Sequence, residues 1–224
     1  MRPYAILATI VGFAACKSLG GPAIDAPLEA DTDRNETKWE SSFSSATYFS
    51  QHSRDYENPN FTADRDWLHL EARYNYEALK TGSVWLGYNF PEFCIAKVLK
   101  VNATPMLGGV FGDITGVAPG YYIEANYNET IKASTQGEYF LDAGNKSGNF
   151  FYSWSEFSAP LPKLDWIRAG LVVERTQASG NSDVRRGPLI GFTHKCGDTD
   201  VELTTYWLAP GSRDATFVFA VEFK

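Results

Sequence analysis

Leu68-His69-Leu70-Glu71-Ala72-Arg73-Tyr74-Asn75-Tyr76-Glu77 decides the fold. Leu68, Leu70, Ala72, Tyr74 and Tyr76 fall on one parity, and His69, Glu71, Arg73, Asn75 and Glu77 on the other. Side chains of a strand point to opposite faces with a period of two, so a strand gathers every charge on one face. A helix would scatter the same charges around its surface. The stretch therefore reads as a strand with one apolar face ending in tyrosines. The fold turns on whether that face meets protein or lipid.

The same alternation recurs outward from this stretch. Val84, Leu86, Tyr88 and Phe90 oppose Ser83, Trp85, Gly87 and Asn89. Tyr121, Ile123, Ala125 and Tyr127 oppose Glu124 and Asn126. Ile131, Ala133 and Tyr139 oppose Lys132, Ser134, Gln136 and Glu138. Ile167, Ala169, Leu171 and Val173 oppose Arg168, Gly170, Val172 and Glu174. Turn signals separate the runs: Lys80-Thr81-Gly82, Pro91, Gly112-Asp113, Pro160-Leu161-Pro162, Gly197-Asp198 and Pro210-Gly211. His52–Asn60, Ala143–Asn149 and Gln177–Arg186 read as loops, and Pro105, Gly108-Gly109 and Pro119-Gly120 as interruptions. Eleven runs result, with Phe61–Ala78 taken as one.

Single charges sit mid-strand on the polar parity, while Tyr74, Tyr76, Tyr88, Tyr121, Tyr127, Tyr139 and Trp207 sit near strand ends on the apolar parity. Isolated charges between apolar positions, flanked by aromatic girdles, are the pattern of strands in a bilayer. Strands cross hydrocarbon only as a closed barrel, because an open edge leaves backbone groups unpaired. Aromatics make up 15% of the 224 residues and charged residues 21%. A net charge of -7 with no long basic cluster argues against nucleic acid.

The N-terminal end adds to this. Arg2 followed by the apolar Tyr4–Ala15 has the build of an export signal over residues 1–16. Phe13-Ala14-Ala15-Cys16 resembles the lipobox of bacterial lipoproteins, which would make Cys16 a lipidation site. Residues 17–38, rich in Gly, Pro and acids, read as a flexible acidic linker. The barrel domain is residues 39–224.

The final strand alternates Phe217, Phe219, Val221 and Phe223 with Thr216, Val218, Ala220 and Glu222. It resembles the C-terminal strand of bacterial outer-membrane β-barrel proteins, which ends in an aromatic and is read by the barrel-assembly machinery. Here Lys224 follows the aromatic. The resemblance spans 39–224 in pattern and is one of architecture. It implies an all-β, antiparallel up-and-down transmembrane β-barrel in the bacterial outer membrane, porin-like and surrounded by outer-membrane lipid. The run count suggests about ten strands, with twelve as the alternative, since single-chain bacterial barrels have even numbers.

In such a barrel His69, Glu71, Arg73, Glu124, Lys132, Glu138, Arg168, Glu174 and Glu202 face the lumen. Buried charges persist only when paired, so a lumen network of ion pairs is expected. Its role is structural or that of a narrow conduit for small solutes, cation-preferring because acids outnumber bases. Two other readings stay open: a soluble or lipid-anchored periplasmic barrel with an apolar ligand, and a barrel enzyme acting on lipids. For the last, none of His52, His69 and His194 has the Ser two residues on that lipid A deacylases show. No phosphate loop or zinc motif is present, so no cofactor, metal or catalytic residue is expected. Cys94 and Cys196 are expected at the same barrel end but too far apart around the rim for a disulfide. Asn35, Asn60, Asn102, Asn128 and Asn145 begin Asn-x-Ser/Thr triplets that chance explains.

Overall fold

The computed structural model describes residues 38–144 and 146–224. The expected export signal, most of the expected linker and the candidate lipidation residue Cys16 lie outside the described residues. Thirteen strands follow in order: β1 (Glu40–Ser50), β2 (Tyr56–Arg65), β3 (Leu68–Tyr74), β4 (Thr81–Tyr88), β5 (Phe93–Ile95), β6 (Leu99–Gly112), β7 (Gly116–Tyr127), β8 (Ile131–Asp142), β9 (Phe150–Leu161), β10 (Leu164–Ala178), β11 (Asn181–Cys196), β12 (Thr199–Leu208) and β13 (Thr216–Phe223). All strand pairings among the described residues are antiparallel, and all join sequence neighbours except β1 with β13 and β4 with β6. These two close the sheet into a ring of twelve. β5 stays outside it, pairing with β6 along the edge that β4 has left, from Phe93–Val101 to Ile95–Leu99. The eleven runs are thus twelve strands, the alternative to the expected ten.

The missing strand comes from Phe61–Ala78, which is two strands. Asp66, at φ 54°, turns the chain before Trp67, and β2 folds back on β3 from Arg65–Leu68 to Asn60–Arg73. Asp66 suits a left-handed turn, but no glycine or proline stands beside it to mark the break in the sequence. Two expected loops are also strand. Tyr56–Asn60 belongs to β2, and the supposed Gln177–Arg186 loop is a tight turn at Ser179-Gly180, both with positive φ, that lengthens β10 and β11. Arg185 is thereby placed on a strand.

Pro105 and Pro119 interrupt nothing, because each sits where a ladder is already missing. The β4–β6 pairing ends at Gly87–Met106, one residue before Pro105. The β7–β8 pairing lapses between Val117–Leu141 and Gly120–Glu138, which brackets Pro119. Proline, with no N–H to give, is tolerated at such places.

The two faces of the ring settle the lipid question. Leu70, Leu86, Leu107 and Leu171 are 38%, 59%, 59% and 61% exposed on the outside, while Glu71 and Arg73 are 4% and 6% exposed within. The soluble alternative required those leucines to be enclosed, and they are not. Around the end where both chain termini of the barrel lie, Trp39, Trp67, Tyr88, Tyr127 and Trp166 project outward; Tyr74, Tyr139 and Trp207 do so toward the other end. Trp67 stacks on Tyr88 with ring centroids 5.8 Å apart. Closed hydrogen bonding with an apolar outer belt between aromatic girdles is the one strand architecture that a bilayer accepts.

Tyr76 departs from the expected pattern. β3 ends at Tyr74, so Tyr76 is not on the outer face. Asn75 takes a φ of 59°, and its Oδ1 accepts a 2.7 Å bond from the Lys80 backbone N–H. The turn this forms folds inward, and Tyr76, Glu77 and Ala78 are 1%, 0% and 5% exposed.

Candidate functional site: the barrel lumen

The inner parity of the strands carries three clusters. The first lies on β2, β3, β4 and β8. Arg73 donates from Nη2 to Glu71 Oε2 at 2.6 Å and from Nη1 to Glu138 Oε2 at 3.1 Å. Its guanidinium also sits 4.2 Å from the Tyr76 ring centre and 4.3 Å from that of Trp85, within cation–π range. Asn60 Nδ2 donates to Glu71 Oε1 at 2.6 Å. His69 Nδ1 is 2.8 Å from Asp64 Oδ1, and Asn89 Nδ2 donates to the same oxygen at 2.7 Å.

Trp85 lies flat across the inside because two glycines leave it room. A Cβ on Gly108 would meet its ring at 2.5 Å, and one on Gly120 at 2.8 Å. The indole N–H donates to Ser83 Oγ at 2.9 Å, so the ring is fixed at both ends.

The second cluster lies on β9 to β13. Arg168 donates to Glu202 at 2.7 Å, to Glu156 at 3.3 Å and to Thr204 at 3.0 Å. Glu156 Oε1 also accepts from Tyr206 Oη and from Trp154 Nε1, both at 2.8 Å. Glu202 and Glu222 face each other directly across β12 and β13. Like charges so placed repel, and Lys224 Nζ stands 3.7 Å from one and 3.2 Å from the other. Nearby on β7, Glu124 accepts from Asn126 at 2.6 Å and from Tyr122 at 2.9 Å, with half-buried Lys132 on the adjoining strand.

The third cluster is Glu174 on β10 and Arg185 on β11, bonded at 2.5 Å, with Arg185 also donating to Thr216 at 3.2 Å.

His69, Glu71, Arg73, Glu124, Lys132, Glu138, Arg168, Glu174 and Glu202 thus all lie on the inner face, divided among these clusters. Phe217, Phe219 and Phe223 point outward. Sequence reasoning missed Glu156, Arg185, Lys224, Tyr76 and Glu77 as lumen groups. Glu156 shares the parity of Tyr152 and Trp154, a signal masked by the aromatic content of its run. Arg185 was hidden in a presumed loop. The inward fold of residues 75–80 had no periodic signal.

The interior is filled at these clusters. Tyr48, Tyr76, Trp85, Tyr152, Trp154 and Tyr206 are each 3% exposed or less. A continuous aqueous bore would leave inward side chains wet, as in barrels of more strands. Cys94 and Cys196 are free and exposed, at the same barrel end.

No protein-family model matches the sequence, and no curated protein does. Solved structures match instead. The KdgM porin aligns over 82% of this chain and 98% of its own at 9% identity, with a TM-score of 0.54. The barrel has the fold of a bacterial outer-membrane porin. KdgM porin in complex with disordered oligogalacturonate gives the same coverage and TM-score at 7% identity. OpdL of Pseudomonas aeruginosa aligns over 79% of this chain and 61% of its own at 8% identity and a TM-score of 0.43.

Proposed function

We propose that this protein is an outer-membrane conduit for small solutes, with cations preferred, and that the filled lumen is its closed form. The observation that carries the reading is the inward turn of residues 75–80, which seats Tyr76 between Arg73 and Tyr152 inside the ring. Ladders hold the strands of the wall, whereas fewer bonds among the described residues tie this turn to the barrel. Asn75 N–H donates to Thr81 O at 2.7 Å and Asn75 Nδ2 to Glu57 O at 2.8 Å. Withdrawal of the turn would remove Tyr76, Glu77 and Ala78 from the lumen and leave every wall pairing in place.

Cation preference follows from the inner charges. Glu71, Glu77, Glu124, Glu138, Glu156, Glu174, Glu202 and Glu222 outnumber Arg73, Lys132, Arg168, Arg185 and Lys224. The similar KdgM porin has been solved with oligogalacturonate, an anionic saccharide. An acidic lumen disfavours that class, so the shared fold does not bring a shared solute. In this reading residues 1–16 export the chain, 17–38 tether it, and the strand bearing Phe217, Phe219, Val221 and Phe223 presents itself to the barrel-assembly machinery.

Planar-bilayer recording tests the reading. Wild-type protein should show rare openings selective for K⁺ over Cl⁻, and Tyr76→Ala should open far more often. Absence of current from both would leave the network a purely structural role.

A further inference from the structure

We infer that the lipid-facing wall of β10 and β11, at the end away from the chain termini, binds the phosphate of a lipid headgroup through Arg175 and Arg186. Both side chains leave the wall on the outer parity. Arg175 follows Leu171 and Val173, 61% and 40% exposed outside, and Arg186 alternates with Val184 and Ile190, 42% and 45% exposed. Both arginines are themselves exposed. Arg175 pairs across the ladder with Val184, and Arg186 with Val173, so the two are diagonal neighbours. Diagonal positions stand about 7–8 Å apart, within reach of two long side chains meeting one group.

Their height is that of the aromatic girdle. Tyr139 pairs with Phe151, and Phe151 with Gln177, which sets Arg175 one outward position nearer the bilayer centre than the row of Tyr139. On the other flank Arg186 O accepts from the Ala209 N–H, which sets Arg186 one outward position beyond the row of Trp207. Rows run oblique to the axis because the strands tilt, so a level line from Tyr139 to Trp207 crosses β10 and β11 beside these arginines. Connections at this end, such as 143–149 and 209–215, are longer than the turns 162–163 and 197–198 opposite, as on the external side of such barrels. The leaflet here is the outer one.

A guanidinium on the lipid face is tolerated at an interface and costly at the midplane. The adjoining carboxylates Glu174 and Asp183 have the inner parity, so neither neutralises the pair. Arg175 donates from Nη2 to Gln177 Oε1 at 3.0 Å, and the Arg186 side chain has no bond among the described residues. Most of their N–H donors are therefore left for a ligand. At the girdle that ligand is the anionic headgroup of the surrounding lipid, and a phosphate matches guanidinium forks by bidentate, charge-assisted bonds. The site lies outside the ring and does not depend on whether the lumen conducts.

The test titrates the purified barrel in non-ionic detergent with diphosphoryl lipid A and with the same lipid after removal of its phosphates, read by native mass spectrometry. The expected result is one saturable lipid per barrel, with the phosphorylated form at least about tenfold tighter. Arg175→Gln/Arg186→Gln should erase that preference, while Arg213→Gln, in the connection 209–215, should keep it. Heat-dependent gel migration reports that each variant is folded. Excess inorganic phosphate should leave the lipid bound; its displacement would overturn the lipid as the source of the phosphate. Equal binding of the two lipids, or a preference that survives in the double variant, would show that the arginines only reach out to water and would overturn the inference.

Discussion

Arg73 on β3 and Glu138 on β8 are bonded at 3.1 Å although four steps around the ring separate their strands. The bond crosses the lumen and straps two walls that share no ladder. It sits among Glu71, Tyr76 and Trp85, so the side chain that ties the barrel together is also the one on which the inserted turn rests.

Breaking that strap should be costly. Arg73→Met keeps the bulk but leaves Glu71 and Glu138 without their cation, and removal of one partner of a buried pair costs about 3–5 kcal/mol. The expected outcome is a lower urea midpoint for the folded barrel in detergent, followed by gel migration. The double variant Arg73→Met/Glu71→Gln should recover part of the loss. A midpoint equal to wild type for Arg73→Met would show that the pair does not stabilise the barrel.

Glu77 gives the turn a pH dependence. Burial raises its carboxyl above the usual carboxylate range, against the pull of Arg73, with Glu71 adding to the rise. Glu138 from β8 and Ser83 from β4 also face it. A carboxyl that binds its proton more tightly in the inserted state stabilises insertion while protonated. That contribution is full below the ordinary carboxylate pKa and is lost as the pH rises through the raised value. Open probability in bilayers should therefore climb with pH from about 4.3 upward, and Glu77→Gln should flatten the climb. A climb toward acid, or one that persists in Glu77→Gln, contradicts this.

Two neighbouring glycines on β6 should respond in opposite ways. A Cβ at Gly108 would meet the Trp85 ring at 2.5 Å, whereas one at Gly109 meets nothing within 4 Å. Gly108→Ala forces the indole off its site at a cost of about 1–3 kcal/mol, the range for overpacking. Gly109→Ala should be neutral or slightly stabilising, through the lost freedom of glycine in the unfolded chain. Urea unfolding of the two variants separates them; equal midpoints would show that Trp85 is free to move.

Much of the fold was legible because a period of two is hard to produce by chance over many runs. Leu68–Tyr74, Ser83–Tyr88 and Ile167–Glu174 show their two faces in the sequence as they do in the barrel. What could not be read was punctuation. Asp66-Trp67 turns the chain without a glycine or proline, and Pro105 and Pro119 sit inside strands because neighbouring ladders give out beside them. Turn-forming residues mark where a chain is able to turn, whereas ladder gaps depend on partners far away in sequence. Most inner charges on regular strands were found by parity, Glu156 and Arg185 excepted. Tyr76 and Glu77 were not, since they reach the lumen through a left-handed Asn75 that ends the alternation.

The central claim is that alternate residues look out into acyl chains while the charged ones between them look inward. Nitroxide labels test it most directly, placed singly at Leu86, Leu107 and Leu171 in barrels whose Cys94 and Cys196 are replaced by Ser and which are reconstituted in lipid. The predicted result is ready collision with oxygen and little with a water-soluble nickel chelate at all three positions. The reverse order, with the chelate reaching Leu86, Leu107 and Leu171 freely, would contradict the account.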